Sequence, residues 1–374
     1  MGTMIHLSVG NLEIDWGKNR GFTDHSPIYQ PKDATSVPSW YVKDHEKNDD
    51  SWTLFAEYNE GYSSPLWKVI ERLNLLGYTL RAIQKQYDQD IAEYNFDDES
   101  VTPSFEMLKE LFTRCDVSML MDDERKIKRE LDKDFIQQLL LLLKDRAKEF
   151  EDYLPHIFEG EYERIAPYTL LYLFSFNQTA LELPIRWDFD GLVQSGWAPR
   201  NEFIKPLDQS NRFLIVTEGS SDASIIKHAF SILRPHVQDF FSYVDMKEGY
   251  PFTGTGNVIN FVKGLISIGV QNNVIVVFDN DAEGVASYKK CIELNVPLNM
   301  RIIKLPDLAA FLQFDTVGPE GDHKSDINGK AAAIECYLDT GETPKVRWTN
   351  FNVQQQTYQG ALIAKDDHKR VFLS

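Results

Sequence analysis

Asp279-Asn280-Asp281-Ala282-Glu283-Gly284 sets three acids at alternate positions directly after the apolar run Val274-Ile275-Val276-Val277-Phe278. Residues i and i+2 of an extended segment point to the same side, so Asp279 and Asp281 face one point in space. Carboxylates held that close repel, and raise each other's pKa unless a cation neutralises them. Hard oxygen donors with no Cys or His beside them in sequence select magnesium or manganese over zinc. A second acidic pair, in Glu218-Gly219-Ser220-Ser221-Asp222, follows the apolar run Phe213-Leu214-Ile215-Val216. Glu218 completes the cluster from the end of that run, and Asp222 faces the same way from the first turn of a helix. A single acid after a strand is ordinarily a cap or a solvated loop residue, and Asp222 and Glu283 do sit where acids suit a helix dipole. Two strand ends carrying Glu-x-x-x-Asp and Asp-x-Asp-x-Glu in one frame are harder to explain that way.

The elements that must position these acids are legible as alternating runs. Strands are expected at 213–216, 240–244, 274–278 and 301–305. Between them helices are expected over 223–233, 258–268 and 283–294, with a glycine turn (Gly249, Gly254, Gly256) before the second. Continuous apolar strands alternating with helices predict a mostly parallel, Rossmann-like four-stranded sheet covered on both faces. Functional groups collect at the carboxyl ends of such strands, where Glu218 and Asp279 lie. Upstream, residues 1–60 are irregular. From Pro65 the apolar positions Trp67, Ile70, Leu73, Leu76, Leu80 and Ile83 recur at helical steps. Further helical runs cover 105–115, 122–151 and 166–183. The reading is a mostly α-helical domain over 1–200, a proline-bearing junction, an α/β domain over 205–345, and a C-terminal extension over 346–374.

At 374 residues the chain exceeds what one core usually supports. Its net charge of −18 is uneven: residues 1–200 hold 22 Lys and Arg against 36 Asp and Glu. Such acidity does not suit a protein that coats nucleic acid unselectively, but it permits one that recruits metal and binds locally. The basic cluster Arg125, Lys126, Lys128 and Arg129 follows Asp122-Asp123-Glu124 and fits a salt-laced helix better than a phosphate contact. Trp52, Trp67 and Trp187 are expected in cores. No apolar stretch is long enough for a membrane span or a leader. Cys115, Cys291 and Cys336 lack paired spacing, so a reducing cytoplasm is expected and a zinc ribbon is not.

Val216-Thr217-Glu218-Gly219 and Val277-Phe278-Asp279-Asn280-Asp281-Ala282-Glu283-Gly284 resemble the two acidic motifs of the Toprim family, over roughly residues 210–310. The turn Gly254-Thr255-Gly256-Asn257 and the Glu-x-x-x-Asp form of the first motif are more similar to the nucleases of the OLD (overcoming lysogenization defect) type. That resemblance implies Glu218 as metal ligand or acid–base group, and Asp279 and Asp281 as metal ligands. It also implies one or two Mg2+ or Mn2+ ions held with Asp222 and Glu283, and a later acid and lysine, for which Glu335 and either Lys304 or Lys330 stand as candidates. The first half, through Leu12-Glu13-Ile14-Asp15-Trp16-Gly17-Lys18-Asn19 and Asp24-His25-Ser26, resembles the N-terminal domain fused to Toprim in HEPN/Toprim-associated proteins of bacterial antiviral conflict. A ribonuclease HEPN site would show Arg, four to six residues, then His. Nine residues separate Arg146 from His156, so this half is read as a sensing, oligomerising or docking domain.

These resemblances imply a metal-dependent endonuclease, a defence or toxin effector, acting on DNA or on RNA, transfer RNA included. In it one ion would activate water and another would stabilise the leaving oxygen. A homo-oligomer and a regulatory or ATPase partner are expected, and no membrane. The chain is too short for the further domains that bear a topoisomerase's nucleophilic Tyr, and it lacks the clustered Cys or His of a primase zinc module. The rival reading is a non-catalytic Toprim scaffold that binds nucleic acid or a partner.

Overall fold

Strict alternation of buried and outward side chains builds the first sheet. Ile5, Leu7 and Val9 of β1 (Met4–Val9) point inward, as do Leu12 and Ile14 of β2 (Leu12–Lys18). The structure, a computed structural model, describes residues 4–43, 53–94, 104–121, 165–244, 255–341, 343–353 and 356–374. It divides into two compact units, Met1–Leu207 and Asp208–Ser374.

In the first unit β3 (Ala34–Lys43), β4 (Thr53–Pro65) and β5 (Pro184–Asp188) join the opening hairpin in a five-stranded sheet of order β2-β1-β5-β4-β3. Every pairing in it is antiparallel. Against this sheet pack α1 (Leu66–Leu75), α2 (Leu80–Tyr94), α3 (Phe105–Arg114) and α4 (Pro167–Ser175) around one large core. α1 buries Leu66, Val69 and Leu73 at helical spacing. Its buried Arg72 donates to the carbonyls of Pro27 and Tyr29, which satisfies the guanidinium. The expectation of a mostly helical first domain therefore needs correction: among the described residues this unit is mixed. The helical run 122–151, the basic cluster at 125–129, Arg146, His156, Trp52, Gly249 and Gly254 lie outside the described residues. Trp187 lies in the core, 1% exposed.

The second unit carries the expected parallel sheet. β6 (Phe213–Thr217), β7 (Phe241–Tyr243), β8 (Asn273–Phe278) and β10 (Met300–Lys304) stand in the order β10-β8-β6-β7, all parallel. The linking helices are α5 (Ser220–Leu233), α6 (Thr255–Ser267) and α7 (Ala282–Ile292). Val216, Val274, Val276 and Phe278 from the strands and Val258 and Val262 from α6 make its core. β6 has β7 on one side and β8 on the other, so the direction of winding reverses between β6 and β8. Such a switch point opens a crevice at the carboxyl ends of the two strands.

Past the parallel sheet, β9 (Asn280–Asp281) pairs with β13 (Ala331–Ala332). A second sheet has the order β12-β11-β14-β15, from β11 (Phe314–Gly318), β12 (Gly321–Ser325), β14 (Val346–Asn352) and β15 (Thr357–Leu362). The chain closes with α8 (Lys365–Leu373). Residues 346–374, expected as an extension, thus contribute two strands and a helix to this unit. Among the described residues no helix is long and apolar enough to cross a membrane.

Candidate metal centre

Glu218 follows β6 and Asp279 follows β8, so the switch-point crevice is acidic at both lips. The backbone N–H of Asp279 donates to Glu218 Oε1 at 3.3 Å, which ties the two strand ends together. Asp279 Oδ1 accepts from the N–H of Ile334 at 3.0 Å. Asp222 enters from the first turn of α5, its Oδ2 accepting from Gly219 N–H at 2.9 Å. Asp281 caps α7, its Oδ1 accepting from Gly284 N–H at 2.7 Å. The ordinary role of such acids, as caps, is thus real for both. Asp222 Oδ1 also accepts from Ser221 Oγ at 3.4 Å.

Gly284 shows why the Asp279 turn is built as it is. A Cβ there would lie 2.3 Å from the Asp279 carbonyl oxygen and 3.0 Å from its nitrogen. α7 can start this close to the strand end only if its third residue has no side chain.

Crowding sets the electrostatics. Burial, then Asp222, Asp281 and Glu218, pushes the Asp279 carboxyl up to about 9. Burial, followed by Asp281, raises Glu218 to about 8. Asp222 and Asp281 are raised as well, again chiefly by burial, with Glu335 and Glu283 respectively adding to it. Glu283 stands exposed at the rim. Glu335 is fully buried, and its Oε2 lies 3.1 Å from the Lys365 ammonium, which pairs with it. Cys336, next to Glu335, is a thiol pushed up to about 12 by burial, then by Glu335 and Asp279. The acids that gather here all offer oxygen donors.

Among the described residues no three acid, His or Cys side chains form a ready metal cage. Magnesium does not demand one, since it keeps several waters and is commonly held by one or two carboxylates plus substrate oxygens. Mutually repelling, partly buried carboxylates with raised pKa values, Glu218, Asp279 and Asp281 among them, are chemically compatible with a cation of that kind.

Of the two lysines named from the sequence, Lys330 bridges Asp281 through its backbone, and Lys304 bonds Asn280 through its side chain. Strand alternation turns Asn280 away from its acidic neighbours, into a fully buried position where its Oδ1 accepts from Lys304 Nζ at 3.0 Å and from Gly329 N–H at 3.1 Å. Lys304 is also bonded to Asp307 at 2.8 Å. Lys330 pairs with Asp326 at 3.2 Å. Lys365 is instead the cation whose charge reaches Asp279, Asp222 and Asp281. It begins α8, which the buried His368 anchors through a 3.0 Å bond to Thr340. Sequence reading missed Lys365, since nothing in Lys365-Asp366-Asp367-His368 signals proximity to strands a hundred residues upstream. Asn280 was legible only as a spacer.

In comparison with known proteins, a sequence model of the family described as HEPN/Toprim N-terminal domain 1 matches residues 1–211. No curated protein and no solved structure matches the chain.

Proposed function

Because this chain belongs to the HEPN/Toprim N-terminal domain 1 family, we propose that it is a magnesium- or manganese-dependent nuclease whose site lies in the second unit. Membership supports a nucleic-acid-related, nuclease-like role, and the OLD-type likeness of the second unit extends it to phosphodiester hydrolysis. The observation that carries the reading is the meeting of Glu218, Asp279 and Asp281 at adjacent parallel strand ends, on the switch point, with burial raising all three carboxyls. The metal, held by Glu218, Asp279 and Asp281 with Asp222 and Glu283 around them, would supply charge neutralisation at the phosphate and an acidified water. Glu218, tied to the Asp279 backbone, keeps the two strand ends in register. Lys365 balances Glu335 and lowers the repulsion the acids would otherwise feel. The proposal further includes a DNA or RNA target, a cytoplasmic defence or toxin role, self-assembly, and control by a partner such as an ATPase.

One observation favours a second reading, a non-catalytic scaffold: Asp222 and Asp281 already serve as helix caps. The decisive experiment incubates the full chain with supercoiled plasmid, linear DNA and total RNA, in magnesium, manganese or EDTA, beside Asp279→Ala. Metal-dependent cleavage that vanishes in the variant is the expected result. Equal cleavage by Asp279→Ala would overturn the assignment, and silence on every substrate would favour the scaffold or a chain awaiting its partner.

A further inference from the structure

The second sheet of the second unit carries an aromatic face that runs out past its core. In the β14–β15 hairpin Trp348 stands opposite Gly360, and Phe351 opposite Tyr358. Opposite residues of an antiparallel pair share a face, so these aromatics lie on the side of Val346 and Leu362, which are buried with Ala331. At Gly360 that side is packed tight: a Cβ would come 2.8 Å from Val346 and 3.0 Å from Ala331. Farther along, Phe351 is 45% and Tyr358 59% exposed. Three regular steps from Trp348 would turn Phe351 to the other face; the register shift between Trp348 and Asn350 keeps it on this one.

The overhang joins His323, Asp326 and Lys330 in lining a cleft of about 640 Å³. Lys330 leads directly into β13, whose Ala331 pairs with Asp281. One wall of the cleft is therefore a single residue from the strand bonded to a candidate metal ligand. We infer that this cleft holds unpaired nucleobases of the strand whose phosphodiester is presented to the carboxylates; the inference rests on the reading of that site as acting on nucleic acid. The volume suits a nucleotide-sized ligand, and aromatic faces accept any base by stacking. Lys330 and Asp326 are ion-paired and Glu320 adds an acid to the lining, so the cleft offers no positive charge to a phosphate. Stacking needs none, which reconciles binding with a chain of net charge −18. A duplex keeps its bases inside and has none to offer.

The test titrates the full chain, in EDTA so that nothing is cut, with a short fluorescein-labelled single strand, DNA and RNA separately. The same strand carrying abasic sites and the matching duplex serve as comparisons. The intact strand should bind about tenfold tighter than either, with Tyr358→Ala weakening it about 5- to 100-fold through loss of one stack and Tyr358→Phe restoring it. A shallow salt dependence, of one or two phosphates, should accompany it. Equal affinity for intact and abasic strands, or an unchanged Tyr358→Ala, would overturn the inference. So would a Tyr358→Ala variant that alters only the oligomeric state in sedimentation, since the face would then belong to a second copy. Base-dependent binding in a chain that cleaves nothing with metal would sink the hydrolytic reading and leave the cleft standing.

Discussion

Asp279 and Glu218 bind protons more tightly in the folded, metal-free chain than in the unfolded one, whose carboxyls have their ordinary values of 3.8 and 4.5. Between those values and about 9 and about 8 respectively, the native state holds the extra protons. Stability therefore falls as pH rises through that window and levels off above it. Thermal melts of the metal-free chain should lose on the order of 5 °C more between pH 6 and pH 9.5 than those of Asp279→Asn. Magnesium should recover the difference at the alkaline end, and parallel pH profiles for the two proteins would refute the account. Lys365 gives a second residue-level expectation. Lys365→Met strips the cation from a fully buried carboxylate. Urea unfolding of the second unit should show a loss of about 1–3 kcal/mol, and adding Glu335→Gln should return most of it. A double variant no better than the single would mean that Lys365 acts through its packing.

The turn between β8 and α7 is the element on which the site depends. Gly284→Ala presses a methyl onto the Asp279 backbone, 2.3 Å from its carbonyl oxygen. The expected cost is about 1–3 kcal/mol, with cleavage reduced more than substrate binding because Asp279 is displaced. Gly219→Ala, where the nearest atom is 3.5 Å away, should leave stability and activity nearly unchanged; matching losses from the two would disprove the steric argument. How far the elements were legible follows from how local their signals are. Apolar runs such as Val274–Phe278 announce a buried parallel strand by themselves, and the acids after them come with the strand end. The first sheet is different. Ile5, Leu7 and Val9 alternate with outward residues, a period-two signal hidden among the glycines and polar residues of an irregular-looking start. β5 begins at Pro184 and looked like a junction, yet it sits between β1 and β4, paired to residues more than a hundred positions away. A proline is compatible with the first residue of a strand, but only the partner strands reveal it. Lys365 was hidden for the same reason: its place near the acids depends on how α8 docks.

At the scale of the molecule, the acidity is concentrated in residues 1–200, where 36 acidic residues face 22 basic ones. Nucleic-acid binding is therefore expected to depend on the second unit's own groups. That unit has its own two cores, one under the parallel sheet and one beneath β14 and β15. The second of these is completed by the last thirty or so residues: Val346 and Leu362 are buried with Ala331 and Ala332, and those alanines form the strand that pairs with Asn280 and Asp281. Removing residues 346–374 would uncover β13, take the strand neighbouring β11, and strip Lys365 from Glu335. A chain ending at Lys345 should therefore lose the cooperative melting of its second unit and all metal-dependent activity. The first unit, whose core draws on residues up to Phe203, should still melt as before. Calorimetry of the truncated and full chains separates the outcomes. Loss of one transition with the other intact supports a site that relies on the C-terminal hairpin and helix. Two unchanged transitions would show that residues 346–374 are dispensable to the fold and that β9 and β13 hold the acids in place without them.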